Sequence, residues 1–397
     1  MRNETQLMKS MGWPEIRPDI ILMALIVLGV LEGAPLAILA RPLPAPAMAG
    51  PLVMPAPLTI EAGPLGRLEL GGVVSGIGMS QGNWAAGGDA THWDLSNGQV
   101  FIQKTSGWWQ FYLQAGAYNL PALGTRFLST GRTLSELYGP VPVAYLKLVP
   151  RKNLSILVGA LPTMIGAEDT FTFENMNIER GLLWNQENAI NRGVQVNDRF
   201  GHLSASFSWN DGFYSNRYSW LSGSLAYSFD SANTLSFDAG GNLGQTGFRN
   251  PATPVQNNGS IYNIIYTYQK GRWTIQPYLQ YTDVPTDLNV SIAQGAATWG
   301  GAFLANYRFS RRVSLAGRWE YIASTGNVGG RAVNLLYGPG SRAWSVTVTP
   351  NFQEQDFFLR AEISFVDAAA YTPGDAFGIQ GMNGSQLRGV VEAGLLF

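Results

Sequence analysis

The chain ends with the stretch 387-LRGVVEAGLLF-397, and this stretch decides the predicted fold. In a β-strand, successive side chains point to opposite faces. One face of this strand therefore carries only apolar or small residues, whereas the other face carries two opposite charges. The first set is Leu387, Gly389, Val391, Ala393, Leu395 and Phe397, and the second set includes Arg388 and Glu392. Such a contrast predicts a strand with lipid on one side and a wet environment on the other.

Phe397 places an aromatic side chain at the carboxyl end of this amphipathic strand. This ending resembles the signal that the barrel-assembly machinery of bacterial outer membranes reads. We therefore predict that Phe397 is an assembly signal, that the machinery is a partner, and that outer-membrane lipid surrounds the folded chain.

The composition agrees with strands of this kind. Only 13% of the 397 residues are charged, about half of the usual fraction in soluble proteins. Aromatic residues reach 12% and the mean hydropathy is zero, whereas an inner-membrane protein would show repeated apolar runs of about 18 residues. Two-sheet soluble β-proteins share part of this profile, so composition alone leaves both classes open.

Net charge and cysteine content exclude several functions. The formal net charge is −1, which gives no indication of nucleic-acid binding or of electrostatic attachment to a membrane surface. The sequence contains no cysteine. Disulfides, thiolate metal sites and a lipid anchor on cysteine are therefore excluded.

The first 49 residues are predicted to be a cleaved signal peptide. Ile20 to Leu31 is an apolar run of suitable length, and Ala47-Met48-Ala49 predicts cleavage before Gly50. The alternative is a transmembrane helix over 20–40, but Glu32, Gly33 and Pro35 interrupt that span. Residues 50–65 contain four prolines and are predicted to be an extended linker. This linker is too short to form a plug domain.

Residues 66–397 are predicted to form an all-β, transmembrane, up-and-down antiparallel β-barrel of about 16 strands. Segments with period two lie near 66–79, 97–105, 107–118, 141–150, 153–161, 189–198, 200–210, 218–229, 232–242, 259–269, 271–283, 299–309, 312–323, 342–350, 355–366 and 386–397. Short and long links alternate between them. Outer-membrane barrels combine short periplasmic turns with longer external loops, so both ends of the barrel are predicted to be periplasmic.

Alternate residues of a strand share one face, and we call each such set of residues a parity. The polar parity is predicted to face the lumen, because a charge on the lipid face costs about 2–4 kcal/mol near the membrane midplane. The predicted lumen wall includes three arginines, one lysine and three glutamates. They are Lys147, Arg318, Glu320, Arg360, Glu362, Arg388 and Glu392.

The middle of the chain resembles a known family. Gly159-Ala160-Leu161-Pro162-Thr163 is followed by Gly166-Ala167-Glu168, by the run Arg180-Gly181-Leu182-Leu183 and by Arg192-Gly193-Val194. These motifs are similar to those of the Putative beta-barrel porin-2 family of outer-membrane proteins. The family often has Pro or His where this chain has Ala189-Ile190-Asn191. The resemblance implies a porin-like channel and supplies no substrate.

The link at about 162–188 is the longest, and two interpretations of it stay open. In one, it folds into the lumen and forms an acidic constriction opposite the wall cations, since rings of charge tune ion selectivity. In the other, it is an exposed external loop whose charges do nothing specific. The charged residues in question are Glu168, Asp169, Glu174, Glu179 and Arg180.

The predicted function is that of an outer-membrane porin, a passive diffusion channel for ions and small polar solutes without a cofactor. The alternative is a non-conducting structural or adhesive barrel. Association as a homotrimer is one option for such a barrel, and the sequence leaves the oligomeric state open. An enzyme is not expected. The only histidines are His92, in a long link, and His202, near a short turn, so they are predicted to lie on opposite sides of the membrane, and no Gly-x-Ser-x-Gly elbow is present.

Overall fold

The computed structural model describes residues 46–247 and 254–397, and the predicted signal-peptide core, Ile20 to Leu31, lies outside them. In these two ranges the chain forms seventeen strands. They are β1 Leu58–Glu61, β2 Arg67–Gly82, β3 Thr91–Lys104, β4 Trp109–Tyr118, β5 Val143–Arg151, β6 Leu154–Pro162, β7 Ile190–Phe200, β8 Leu203–Asn210, β9 Trp220–Ser228, β10 Asn233–Asn242, β11 Ser260–Lys270, β12 Trp273–Val284, β13 Ala296–Arg308, β14 Val313–Ser324, β15 Arg342–Glu354, β16 Phe357–Ala369 and β17 Ser385–Leu396.

Helical structure in the described ranges is confined to short pieces between strands. One α-helix, α1, spans Thr130–Glu136, and the remaining pieces are single 3₁₀ turns at Gly63–Leu65, Thr172–Glu174, Trp184–Gln186, Val255–Asn258 and Leu288–Val290. Within residues 46–247 and 254–397, we find no helix that combines the length and the apolar character needed to cross a membrane.

Sixteen of the described strands, β2 to β17, close into a barrel. Each pairs antiparallel with the next, and β17 returns to pair with β2 from Leu387 opposite Gly82 to Leu396 opposite Val73. Closure leaves no open edge, which a strand wall in lipid requires. The predicted fold class and strand number are confirmed.

Strand β1 is not one of these sixteen strands. It lies within residues 50–65, which the sequence predicts to be an extended linker. It pairs with the first residues of β2, from Leu58 opposite Leu70 to Glu61 opposite Arg67. Strand β17 pairs with β2 only from Val73 onward, so β1 occupies the neighbouring position that β17 leaves vacant.

The links alternate in length as the sequence indicated. Seven short turns define one rim, which we call the short-turn rim, and the longer links define the long-loop rim. The predicted start of β3 was wrong by six residues, since the strand begins at Thr91 and not at residue 97. A bulge leaves Ser96 of β3 without an opposite residue between Ser75 and Gly76 of β2, so the alternation of β3 breaks at Ser96 and conceals the first part of the strand.

The two parities of the strands face different surroundings. Large apolar side chains on the outer parity are exposed, for example Trp319, Ile363 and Leu395. The charged residues between them are buried, for example Arg318 and Glu392. An outer surface covered with apolar side chains is suited to lipid, as the period-two pattern predicted.

Candidate functional site

The interior of the barrel contains the long link between β6 and β7. We call residues 163–189 the inserted loop. Apolar side chains in the middle of this loop, including Phe171, Phe173, Ile178 and Leu182, are at most 1% exposed. An external solvated loop would expose them, so the structure agrees with the interpretation in which this link folds into the lumen.

Arginines of the barrel wall bind the loop through its acceptors. Arg318 on β14 donates to Oε1 of Glu168 at 2.5 Å and to the Glu179 carbonyl oxygen at 2.7 Å. Arg388 on β17 forms a buried ion pair with Glu179.

Arg360 on β16 binds only backbone oxygens of the loop. Its guanidinium donates to the carbonyl oxygens of Thr172 at 2.8 Å and of Asn175 and Met176 at 2.9 Å. Three loop residues are thus held by one side chain, and the planar fork of arginine suits this arrangement.

Glutamates of the wall bind the loop through its donors. Glu320 accepts the Leu182 and Leu183 backbone N–H groups at 3.0 and 3.2 Å. Glu362 likewise accepts the N–H groups of Ile178 and Glu179 at 2.5 and 3.2 Å.

Glu392 on β17 completes the set by accepting from the Thr172 hydroxyl at 2.6 Å. Wall residues of both charges therefore dock the loop, since arginines bind its oxygen atoms and glutamates bind its donors. Buried backbone groups of the loop that lack a strand partner are satisfied in this way.

Gly181 allows the loop to approach the wall closely. A side chain at this position would meet the carboxylate of Glu320, which also accepts the next two loop amides. The glycine in the Arg180-Gly181-Leu182-Leu183 motif is therefore required by contact and not by backbone conformation.

The predicted wall residues all lie on the inner parity, but six of the seven are covered. The residues on β14, β16 and β17 are at most 2% exposed beneath the inserted loop. Lys147 on β5 is half-buried, opposite Gln110 on one neighbouring strand and Leu157 on the other. The charges expected to line open lumen are consequently used to hold the loop.

The acidic residues of the loop are also engaged. Glu168 and Glu179 pair with wall arginines. Glu174 accepts the Phe171 N–H at 2.9 Å, and Asp169 is half-buried. Burial raises the pKa of Asp169 to about 7 and also raises the pKa of Glu174. These carboxyl groups do not form a free acidic ring.

Arg180 is fully buried in the loop, and among the described residues its guanidinium has no hydrogen-bond partner. It lies 5.0 Å from the ring centroid of Trp184. Burial lowers the pKa of Arg180 to about 10, against the opposing effect of four nearby carboxylates. Arg180 is thus a buried positive charge close to four glutamates.

Sequence reasoning missed a second segment inside the barrel, residues 46–57. Leu52 is 3% exposed in an apolar cluster with Phe101, Phe173 and Phe358. Val53 exchanges two hydrogen bonds of 2.8 Å with the Gln353 side chain, at the short-turn end of β15. Apolar Leu52 among prolines was the available signal, but proline-rich composition indicated a linker.

The inserted loop holds this segment as well. The Gly50 N–H donates to the Glu174 carbonyl oxygen at 2.7 Å. A side chain at Gly50 would collide with the Asn175 backbone. The segment therefore fills part of the lumen at the short-turn end, although it is too short to be a domain.

The described residues offer little for metal or histidine chemistry. Residues 46–247 and 254–397 contain no group of three or more His, Cys, Asp or Glu side chains that could hold a metal ion. His92 stacks on Phe127 with ring centroids 4.6 Å apart at the start of β3, and His202 lies beside Tyr227 in a short turn. The two histidines are at opposite rims.

Comparisons with known proteins agree with this architecture. A family model described as Putative beta-barrel porin-2, OmpL-like, matches residues 67–397. Among curated proteins, none matches the sequence.

Several solved outer-membrane proteins share the fold at low sequence identity. The outer membrane channel DcaP of Acinetobacter baumannii aligns with a TM-score of 0.58 and 10% identity, covering 86% of this chain and 100% of that one. An anion-selective porin from Comamonas acidovorans gives 0.56 and 12%, with 83% and 99% covered. The trimer form of OmpT of Vibrio cholerae gives 0.53 and 10%, with 83% and 99% covered.

Proposed function

Because the chain belongs to the Putative beta-barrel porin-2, OmpL-like family, we propose that it is an outer-membrane porin, a passive diffusion channel for ions and small polar solutes. The observation that carries the proposal is a closed sixteen-stranded wall whose inner parity is polar. Barrels of this size are wide enough to leave an aqueous path beside an inserted loop.

The proposal includes a route to the membrane. A signal peptide is removed before Gly50, the barrel-assembly machinery reads the strand that ends at Phe397, and the barrel inserts into a Gram-negative outer membrane. Association as a homotrimer is supported by the trimer form of the OmpT structure. The exposed apolar outer surface supports insertion into lipid.

Conductance of purified, refolded protein in a planar bilayer tests the channel. Stepwise conductance increments are expected, because water and ions pass a barrel whose loop covers only part of the wall. The other candidate, a non-conducting structural or adhesive barrel, would insert without any conductance. A variant of the mature chain lacking residues 50–57 serves as a second sample, since it separates a lumen closed by that segment from a barrel with no path at all.

We propose further that the protein is not an enzyme. Its two histidines lie at opposite rims, and hydrolase chemistry needs a nucleophile, a base and an orienting group within hydrogen-bond reach. Absence of hydrolase activity against ester and peptide substrates in detergent, by protein that conducts in bilayers, is the expected result.

The inserted loop is proposed to narrow the lumen by its volume. Glu168 and Glu179 pair with wall arginines, so they are not free to select cations. Alanine substitution of Glu168, Asp169, Glu174 and Glu179 should raise conductance by loosening the loop, and should move the reversal potential towards anion selectivity because Arg318 and Arg388 lose their counter-charges. A large change in ion selectivity at unchanged conductance would instead support an acidic constriction.

A further inference from the structure

The inner wall of the barrel has two parts of different exposure. On β14 to β17, inner side chains such as Thr347, Arg360 and Glu392 are fully buried beneath the inserted loop. On β6 to β12, several inner side chains are half-exposed, as at Ser206 and Ser224. Inner residues of the same strands nearer the long-loop rim, such as Asn210 and Ser222, are at most 2% exposed. The space that the loop leaves open therefore lies along the short-turn half of β6 to β12, and we call this surface the open wall.

The open wall is lined mainly by hydroxyl and amide groups. Its half-exposed inner residues share neutral side chains that both donate and accept hydrogen bonds. They are Ser155, Asn197, Ser204, Ser206, Ser224, Thr234, Ser236, Thr267, Thr274 and Gln276.

Strand register joins polar groups into a continuous row around this wall. Ser155 pairs with Asn197, Asn197 with Ser206, and Ser206 with Ser224. Directly paired residues on one face of a sheet lie about 5 Å apart. A solute at this level of the wall therefore has several hydrogen-bonding groups within reach.

The row continues across the next strands. Asp238 pairs with Ser224 on one side and with Asn263 on the other, and Asn263 donates to the Gln280 side chain at 2.8 Å. Apart from Ser224, these residues are at most 4% exposed, and Gln280 donates to the Leu183 carbonyl oxygen of the inserted loop at 2.9 Å. The row thus spans β6 to β12 at one level of the barrel, and its part from Ser155 to Ser224 belongs to the open wall.

Few charges face this path. Along β6 to β12, all of which the structure describes, the charged residues of the inner parity are Arg199 near the short-turn rim and Asp238, which is 3% exposed. From neighbouring elements, Lys147 of β5 is half-buried and Glu187 of the inserted loop is 5% exposed. The inner charges of β14, β16 and β17 bind the loop, whereas Arg67 and Glu69 of β2 and Arg308 of β13 lie on the inner parity near the short-turn rim. An ion that enters the path therefore finds little opposite charge to replace its water.

We propose that the open wall makes this channel selective for neutral, polyhydroxylated solutes, that is, sugars and polyols, over charged solutes of equal size. This inference rests on the proposed channel function. Hydroxyl groups of the solute exchange water for the serine, threonine and amide groups of the wall at little net cost, since hydrogen bonds are replaced one for one. A charged solute loses hydration that the wall does not replace.

Swelling of proteoliposomes in isosmotic glucose, gluconate and glucosamine tests the proposal. The three solutes are similar in size and carry zero, negative and positive charge. Glucose is expected to enter several-fold faster than either charged solute. Faster entry of gluconate or glucosamine, or equal rates for all three, would overturn the inference. A barrel that neither conducts in bilayers nor admits any of the solutes would instead overturn the channel function on which it rests.

A double variant, Ser206→Val with Ser224→Val, tests the wall itself. Valine is close to serine in reach but cannot hydrogen-bond. Glucose entry should fall about three- to tenfold, because each lost hydrogen bond is worth about that factor, while salt conductance is retained. Ser314→Val is the matched control, since Ser314 is an inner serine of β14 that is 5% exposed. Equal effects of the double variant and the control on glucose entry would contradict the assignment.

Discussion

Arg318 and Glu168 form an ion pair of 2.5 Å between the barrel wall and the inserted loop, and both side chains are at most 2% exposed. The residues are far apart in sequence, on β14 and directly after β6. A buried charge without its partner is costly. This pair therefore links the position of the loop to the integrity of the barrel wall.

Loss of Arg318 should loosen the loop. Arg318→Met is expected to destabilise the folded barrel by about 3–5 kcal/mol, because Glu168 and Glu320 stay buried without a counter-charge. Reversible urea unfolding in lipid vesicles measures this. Arg312→Met is the matched control, since its 2.7 Å pair with Glu354 is exposed and is worth at most about 1 kcal/mol. Similar losses in the two variants would argue against loop docking by buried charge.

Gly181→Ala tests the close contact between loop and wall. The new methyl group meets the Glu320 carboxylate, so a destabilisation of about 1–3 kcal/mol is expected from overpacking. Gly131→Ala in helix α1 is the control, because nothing lies within 4 Å of a side chain there. The control should be neutral or stabilising by up to about 1 kcal/mol. Thermal unfolding followed by circular dichroism distinguishes the two outcomes.

Leu52→Glu should release residues 46–57 from the lumen. The substitution places a charge in the apolar cluster that contains Phe173 and Phe358, whereas Val53→Glu changes a neighbour whose side chain is 60% exposed. Limited proteolysis of the mature protein from the short-turn side should cut the first variant within 50–57 and spare the second. Single-channel conductance should rise in the first variant only. Resistance of both variants to protease would show that Leu52 does not hold the segment.

Ile363→Arg tests the lipid face. Ile363 is on the outer parity in the middle of β16 and is 66% exposed. The new charge should cost about 2–4 kcal/mol near the membrane midplane. Phe357→Arg, at the short-turn end of the same strand, should cost about 0–1 kcal/mol. Folding free energies in vesicles give both values, and equal costs would mean that this face does not contact hydrocarbon.

Phe397 is predicted to be the assembly signal, and its ring lies over Gly72 of β2. Phe397→Ser should lower the folded fraction recovered from outer membranes, measured by heat-modifiable migration on gels. Folding of the same purified variant in detergent separates the two possible causes. Normal refolding with poor recovery from cells would indicate loss of the signal, whereas poor refolding would indicate loss of the contact with Gly72.

The sequence was sufficient for the barrel because its strands alternate between two environments. Leu359, Arg360, Ala361 and Glu362 follow this alternation without a break, and the same pattern placed sixteen segments close to the observed strands. The start of β3 was hidden because the bulge at Ser96 breaks the alternation of that strand.

The interior was harder to predict, since it depends on contacts between distant residues. Phe171, Phe173 and Leu182 are apolar residues in a link between strands, which is the signal that the loop is buried. The alternation of side chains along a strand does not show what the wall charges bind. Arg360, for example, binds backbone carbonyl oxygens of the loop, and every residue has such an oxygen. The role of Leu52 depends on an apolar cluster formed by seven strands and the loop.

The seam between β2 and β17 joins the two ends of the barrel sequence. Until that seam forms, the wall is an open sheet, and the inserted loop and residues 46–57 can be laid against it from the side. Afterwards, they can enter only through a mouth of the barrel. The pairing of β17 with β2 is thus also what encloses the interior contacts of Arg318, Arg360 and Gly50.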